Sequence, residues 1–159
     1  MRGGVFISYR RQDSRGSAGR IYDRLVRRLG RENVFFDVDS KIPAGMDFFE
    51  ILTERVTACD ALVAIIGAGW ISNLDRNSRR RIDNPNDTVR IEIEAALERG
   101  IRVIPVLVDG AGMPNAEDLP DSLKKLHRRQ AIEISDLRFE ADVKQLTRTL
   151  AELAQALRK

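Results

Sequence analysis

The sequence predicts an α/β fold in which helices cover both faces of a parallel sheet. Short runs of β-branched and aromatic residues recur along the chain, and amphipathic stretches separate them. The central runs are apolar at nearly every position, which is typical of strands that are buried on both faces. Strict alternation of strands and helices favours parallel pairing, so we expect a doubly wound domain with three layers.

The runs predict five strands. The first two are Val5–Ser8 and Val34–Asp37. The third and fourth, Leu62–Ile66 and Val103–Val108, are apolar throughout, as central strands should be. The fifth is Ala131–Ile134. Flavodoxin-like folds adopt the strand order 2-1-3-4-5, and we take that order from the fold class.

Four stretches repeat apolar residues at helical spacing. Their residues are Ile21, Leu25 and Leu29; Phe48, Leu52 and Val56; Val89, Ile93, Ala96 and Leu97; and Val143, Leu146, Leu150, Leu153 and Leu157. Gly30 and Gly100 stand where helix C-caps belong, and Asp87 is the expected N-cap of the third helix. The last helix is expected from Phe139 to Leu157, and the connection from Asp109 to Lys125 is expected to be a loop with only a short helix.

Length and composition favour one domain over residues 1–159, because 43% hydrophobic residues suffice for a single core. Charged residues make up 32% of the chain, yet the net charge is only +3, which indicates a solvated surface and no nucleic-acid partner. The densest basic run, Arg76–Arg81, has no interleaved aromatic residues to stack on bases. We expect it to be a solvated loop.

Several kinds of site and location are disfavoured. His127 is the only histidine, which excludes Ser-His and Cys-His nucleophiles and most zinc sites, so we expect no metal. The single cysteine, Cys59, cannot form an internal disulfide and indicates a reducing compartment. No signal peptide opens the chain, and no apolar run approaches the ~18 residues of a membrane span. We therefore expect a soluble, cytoplasmic protein without a membrane partner.

A ligand site is expected beyond the carboxyl ends of the strands, where the strand order reverses between strands one and three. Residues 9–16 and 67–72 would border that crevice. In the first segment, Arg10 and Arg11 carry forked donors that fit a pyrophosphate or a carboxylate. In the second, Trp70 either stacks on a nucleotide ring or caps the core, and both interpretations stay open.

Two carboxylates lie near the start of the third helix, Glu92 and Glu94. At about 100° per residue they fall on opposite flanks of the buried stripe. Helix N-termini open at the same edge as the strand carboxyl ends, so Glu92 can reach the crevice. Periodicity alone, however, favours a solvated position for this residue.

Taken together and in order, several segments resemble the Toll/interleukin-receptor (TIR) domain, in particular its bacterial, NAD-cleaving branch. These segments are Val5-Phe6-Ile7-Ser8-Tyr9-Arg10-Arg11, Val34-Phe35-Phe36-Asp37 leading to Pro43-Ala44-Gly45, Gly69-Trp70, Arg90-Ile91-Glu92-Ile93-Glu94-Ala95-Ala96-Leu97 and Val103-Ile104-Pro105-Val106. The resemblance extends over nearly the whole chain. TIR domains are often fused to sensors, so the chain is also consistent with a fragment of a larger protein.

The resemblance implies an NAD+ glycohydrolase or cyclase in bacterial immune-type signalling or virulence. NAD+ would be the substrate, with no cofactor, and Glu92 the catalytic carboxylate beside the nicotinamide-side ribose. The resemblance assigns nucleotide binding to Ser8, Tyr9, Arg10, Arg11, Asp37, Trp70 and Ser72. The segment Val38–Asp47 would be a loop that moves and mediates assembly with further copies or with other TIR domains.

Two other functions stay open. A non-catalytic TIR–TIR interaction module is the main alternative, since Glu92 and the two arginines can persist in a domain that only binds nucleotide. A nucleotide-sugar enzyme of an unrelated flavodoxin-like type would need an acidic pair in the cleft. Asp37 and Asp39 are candidates, but their lead into residues 43–45 fits the TIR loop better.

Overall fold

The computed structural model describes residues 3–36 and 42–158. In chain order the helices and strands are β1 (Val5–Ser8), α1 (Arg11–Leu29), β2 (Val34–Phe35), α2 (Phe48–Thr57), β3 (Ala61–Ile66), α3 (Thr88–Glu98), β4 (Arg102–Val108), β5 (Ile132–Ile134) and α4 (Phe139–Arg158). The strands pair in parallel in the order β2-β1-β3-β4-β5. This confirms the predicted sheet and the three-layer fold.

Alternation along the strands divides the core into two layers. Val5 and Ile7 of β1 pack in the layer that contains the apolar faces of α1 and α4. Phe6 points the other way and packs in the layer that contains α3 and the end of α2. Because side chains alternate with a period of two, Ser8 lies on the same face as Phe6 and meets α3 at the carboxyl end of the strand.

The helix ends follow the predicted capping residues. The Asp87 carboxylate accepts a hydrogen bond from the backbone N–H of Arg90, 3.1 Å away, and so caps α3. Gly30 ends α1 with φ of 92°, and Gly100 follows α3 with φ of 68°, conformations that favour glycine. These contacts confirm the expected caps.

Some boundaries differ from the prediction. The apolar face of α2 begins at Leu52, because Phe48 is 39% exposed. In α4 the buried face ends with Ala154, whereas Leu157 is 42% exposed. The connection after β4 contains two 3₁₀ segments, Ala116–Asp118 and Asp121–Arg128, where one short helix was expected. Within the described ranges, no helix combines the length and apolarity needed to cross a bilayer.

Candidate active site

A cleft of about 260 Å³ opens where β1 ends and where α1 and α3 begin. Its lining residues are Ile7, Tyr9, Arg10, Arg11, Gln12, Arg81, Asp87, Thr88, Val89 and Glu92. The position at a strand carboxyl end agrees with the prediction from topology. Among the described residues, no cluster of three or more His, Cys, Asp or Glu side chains could hold a metal ion.

Glu92 is a buried carboxylate that lines this cleft. Its exposed fraction is 7%, and the hydroxyl of Ser8 donates a hydrogen bond to its Oε1 at 2.8 Å. The solvated position that periodicity favoured is therefore wrong, because α3 lies against the end of β1 and the flank that carries Glu92 faces the strand. Glu94, on the opposite flank, instead pairs with Arg90 at 3.1 Å.

Arg10 and Asp87 form a buried ion pair beside Glu92. The two terminal nitrogens of Arg10 donate to the two carboxylate oxygens of Asp87 at 2.9 and 2.8 Å, and the side chains are 3% and 7% exposed. Such a two-pronged contact fixes both groups in one geometry. Because Asp87 also caps α3, the pair ties the short connection between β1 and α1 to the start of the helix that carries Glu92.

Asp13, in the first turn of α1, holds the loop after β3. Its carboxylate accepts hydrogen bonds from the backbone N–H groups of Gly67 and Gly69, at 2.8 and 2.7 Å. A Cβ atom added to Gly67 would lie 2.6 Å from the nearer oxygen of Asp13, so this approach requires glycine. The amides of this loop are thus bound to α1.

Residues 67–72 were expected from the sequence to border this cleft, but none of them is among its lining residues. Trp70 is 1% exposed and packs in the core layer with Phe6 and Leu62, so its ring is not available to stack on a ligand in this structure. Ser72 lies on the exposed side of the same loop and does not line the cleft. Of the two interpretations of Trp70, the core position is the one observed.

Two of the remaining predicted residues, Tyr9 and Arg11, line the cleft. Tyr9 lines it, and its ring stacks on Phe36 at 4.9 Å between centroids. Arg11 is exposed at the first position of α1 and also lines the cleft. Asp37 and the first four residues of the predicted mobile loop, 38–41, lie outside the described residues.

Arg81 is a cleft residue that the sequence analysis missed. It belongs to the basic run that was expected to be a solvated loop, yet it lines the cleft. The next residue, Ile82, is 1% exposed and anchors the 3₁₀ turn Arg81–Asp83 in the core. An isolated apolar residue after three arginines is the signal that would have placed this turn against the domain.

The comparison with protein families decides the identity of the domain. The TIR domain family model matches residues 5–147, which is most of the chain. The chain belongs to the TIR domain family. The resemblance drawn from the sequence is therefore confirmed at the level of the family, and the NAD-cleaving branch stays a prediction. No curated protein matches this TIR domain in sequence.

Solved structures share its fold at low sequence identity. The TIR domains of the activated Roq1 resistosome, which recognises the pathogen effector XopQ, are 14% identical, with a TM-score of 0.64 over 92% of this chain and 98% of that one. A prokaryotic SEFIR domain is 22% identical, with a TM-score of 0.56 over 92% and 96% of the two chains.

A larger receptor also contains this fold. The metazoan TIR-STING receptor from C. gigas, solved in complex with 2′,3′-cGAMP, is 16% identical with a TM-score of 0.54. The match covers 90% of this TIR domain and 39% of the receptor chain. At these identities the likeness to all three structures is one of fold.

Proposed function

We propose that this TIR domain cleaves the nicotinamide–ribose bond of NAD+, and that Glu92 is its catalytic carboxylate. The observation that supports this most is a buried carboxylate, oriented by the Ser8 hydroxyl at 2.8 Å, in a cleft that arginines also line. NAD+ has the complementary charges, a cationic nicotinamide ring and an anionic pyrophosphate. A cleft lined by both acidic and basic side chains fits such a ligand.

The chemistry needs one carboxylate and no cofactor. When the glycosidic bond breaks, its electron pair leaves with nicotinamide, which departs as a neutral molecule, so no acid has to protonate it. Positive charge develops on the ribose, and the carboxylate of Glu92 would stabilise it electrostatically. Attack by water then gives ADP-ribose and releases one proton, whereas attack by a ring nitrogen of the adenine gives a cyclic ADP-ribose.

The neighbours of Glu92 would serve to position it. Ser8 holds one carboxylate oxygen, and the Arg10–Asp87 pair fixes the first turn of α3, which precedes the turn that carries Glu92. A charge that is already oriented avoids the cost of reorienting groups during the reaction. Removal of one stabilising donor from such a site raises the activation free energy by roughly 2.7–4 kcal/mol. The geometry therefore favours electrostatic catalysis.

Assembly is the second part of the proposal. The cleft, at about 260 Å³, lies below the roughly 300–1,000 Å³ of pockets that enclose a whole ligand. A single chain would thus surround only part of NAD+, and association with further TIR domains would supply the rest. The Roq1 resistosome and the TIR-STING receptor contain TIR domains, which supports a role for this domain in immune-type signalling.

The test is nicotinamide release from NAD+, resolved by chromatography over a range of protein concentrations. We expect release to rise more steeply than protein concentration, and Glu92→Gln to lower it by about 100-fold or more. The glutamine keeps the shape and can still accept from Ser8. Glu94→Gln is the matched control, because it removes a carboxylate on the same helix outside the cleft, and should retain activity.

Two results would contradict the proposal. One is undiminished release by a Glu92→Gln variant whose circular dichroism matches the wild type. The other is no release from the wild type at any concentration, including conditions that favour assembly. The second result would favour the alternative function, a TIR–TIR interaction module that does not cleave NAD+.

A further inference from the structure

Two arginines of the cleft have unused donors, but they differ in what else they bind. The Nε atoms of Arg10 and Arg81 are both buried, and neither finds a hydrogen-bond partner within residues 3–36 and 42–158. A buried N–H group without an acceptor is unfavourable until a ligand or water supplies one. The question is which guanidinium group is able to turn toward a ligand.

Arg10 is already engaged by the protein. Both of its terminal nitrogens donate to Asp87, and its exposed fraction is 3%. Transfer of these donors to a ligand would leave the buried carboxylate of Asp87 without its counter-ion at the start of α3, which is strongly unfavourable. Arg10 therefore acts as a positioning residue for the helix.

The backbone of Arg81 is fixed by a hydrogen bond, and its side chain lines the cleft. Its N–H donates to the carbonyl oxygen of Asn73 at 2.8 Å, and the neighbouring Ile82 is buried at 1% exposure. The adjacent Arg80 is used differently, since it makes a two-pronged contact with Asp83 at 2.9 and 2.8 Å. Of these two successive arginines, Arg80 thus contacts a surface carboxylate and Arg81 lines the cleft.

Building on the NAD+-cleaving function proposed above, we infer that Arg81 is the residue that binds the pyrophosphate of the substrate. The guanidinium group offers forked donors that match phosphate oxygens. With Arg81 and Glu92 lining one cleft, the pyrophosphate and the cationic ring each have a side chain of opposite charge. From the sequence, Arg10 and Arg11 were expected to make this contact, and the present assignment places it at the turn before α3.

The direct test is calorimetric binding of ADP-ribose, which contains the pyrophosphate and has no nicotinamide to lose. We expect Arg81→Ala to weaken binding by about 10- to 100-fold, the effect of losing a charge-assisted hydrogen bond. Arg81→Lys keeps the charge without the fork and should give an intermediate affinity. Arg80→Ala is the matched control and should change the affinity by less than about twofold.

A second measurement separates binding from catalysis. In the nicotinamide-release assay, Arg81→Ala should raise KM while kcat changes little, because the pyrophosphate is remote from the bond that breaks. A purely structural defect would instead lower kcat and shift the circular dichroism melting curve. Nicotinamide riboside, which lacks the pyrophosphate, should bind wild type and Arg81→Ala equally.

The outcomes distinguish this inference from the function on which it depends. Equal ADP-ribose affinity in wild type and Arg81→Ala, or no binding to the wild type, overturns the role of Arg81 even if Glu92-dependent nicotinamide release is observed. Conversely, Arg81-dependent binding of ADP-ribose by a protein that releases no nicotinamide supports the role of Arg81 and overturns the proposed catalysis.

Discussion

Breaking the buried Arg10–Asp87 pair should destabilise the domain far more than breaking an exposed pair. In Arg10→Met the carboxylate of Asp87, 7% exposed, loses its counter-ion, and breaking a buried pair in this way costs about 3–5 kcal/mol in the free energy of unfolding. The Arg20–Asp136 pair, whose side chains are 49% and 73% exposed, is the control. Arg20→Met should cost no more than about 1 kcal/mol.

A double variant identifies the charge as the cause. Arg10→Met combined with Asp87→Asn leaves no buried charge, and asparagine still caps a helix well. The double variant should therefore be more stable than the sum of the two single changes implies, by about 2 kcal/mol or more. A stability of about 5–15 kcal/mol is typical of a domain, so these differences are large.

Urea unfolding, followed by circular dichroism and by the fluorescence of Trp70, measures these free energies. Trp70 is the only tryptophan and is 1% exposed, so its emission reports the loss of the core. The reasoning is refuted if Arg10→Met costs no more than the exposed control. It is refuted equally if the effects of Arg10→Met and Asp87→Asn simply add.

Two further predictions concern other contacts. Gly67→Ala should lower the free energy of unfolding by about 1–3 kcal/mol, because the new Cβ would lie 2.6 Å from Asp13; Gly16→Ala, with open space around it, should be neutral or stabilising, and urea unfolding that shows equal effects would contradict this. Burial raises the pKa of the Cys59 thiol from 9.0 to about 12, so the folded protein should resist iodoacetamide at about pH 8 and react only in urea, as read by mass spectrometry. The same shift means that unfolded chains deprotonate first, so stability falls as pH rises above about 9; equal alkylation rates with and without urea would contradict the burial of this thiol.

Most of the fold could be predicted because local pattern and tertiary packing agree. The apolar runs predicted the bounds of β3 and β4 to within one residue. Asp87 identified the start of α3, because its capping contact depends only on local geometry. The ends of buried helix faces were predicted less accurately, because tertiary packing determines them. Leu157 continues the helical repeat of α4 but has no layer to cover, so it is exposed.

The site was predicted less completely, because its contacts join distant parts of the chain. Periodicity shows which side of α3 carries Glu92 but not which residues lie opposite that side. It therefore could not predict the hydrogen bond from the Ser8 hydroxyl. Trp70 was ambiguous for the same reason, since the core beneath it is formed by other elements. Arg81 was missed because the composition of the basic run does not distinguish one arginine from the next. The burial of Ile82 is what turns Arg81 toward the cleft.

The bond between Ser8 and Glu92 spans 84 residues of sequence, and the Arg10–Asp87 pair spans 77. Each contact therefore closes a long loop, and α3 must dock on β1 before either can form. One contact joins the last residue of β1 to α3, and the other joins the residue before α1 to the N-cap of α3, so a local opening that lifts α3 from β1 would break them together. The integrity of the site is then governed by one opening equilibrium, which amide hydrogen exchange along α3 would report.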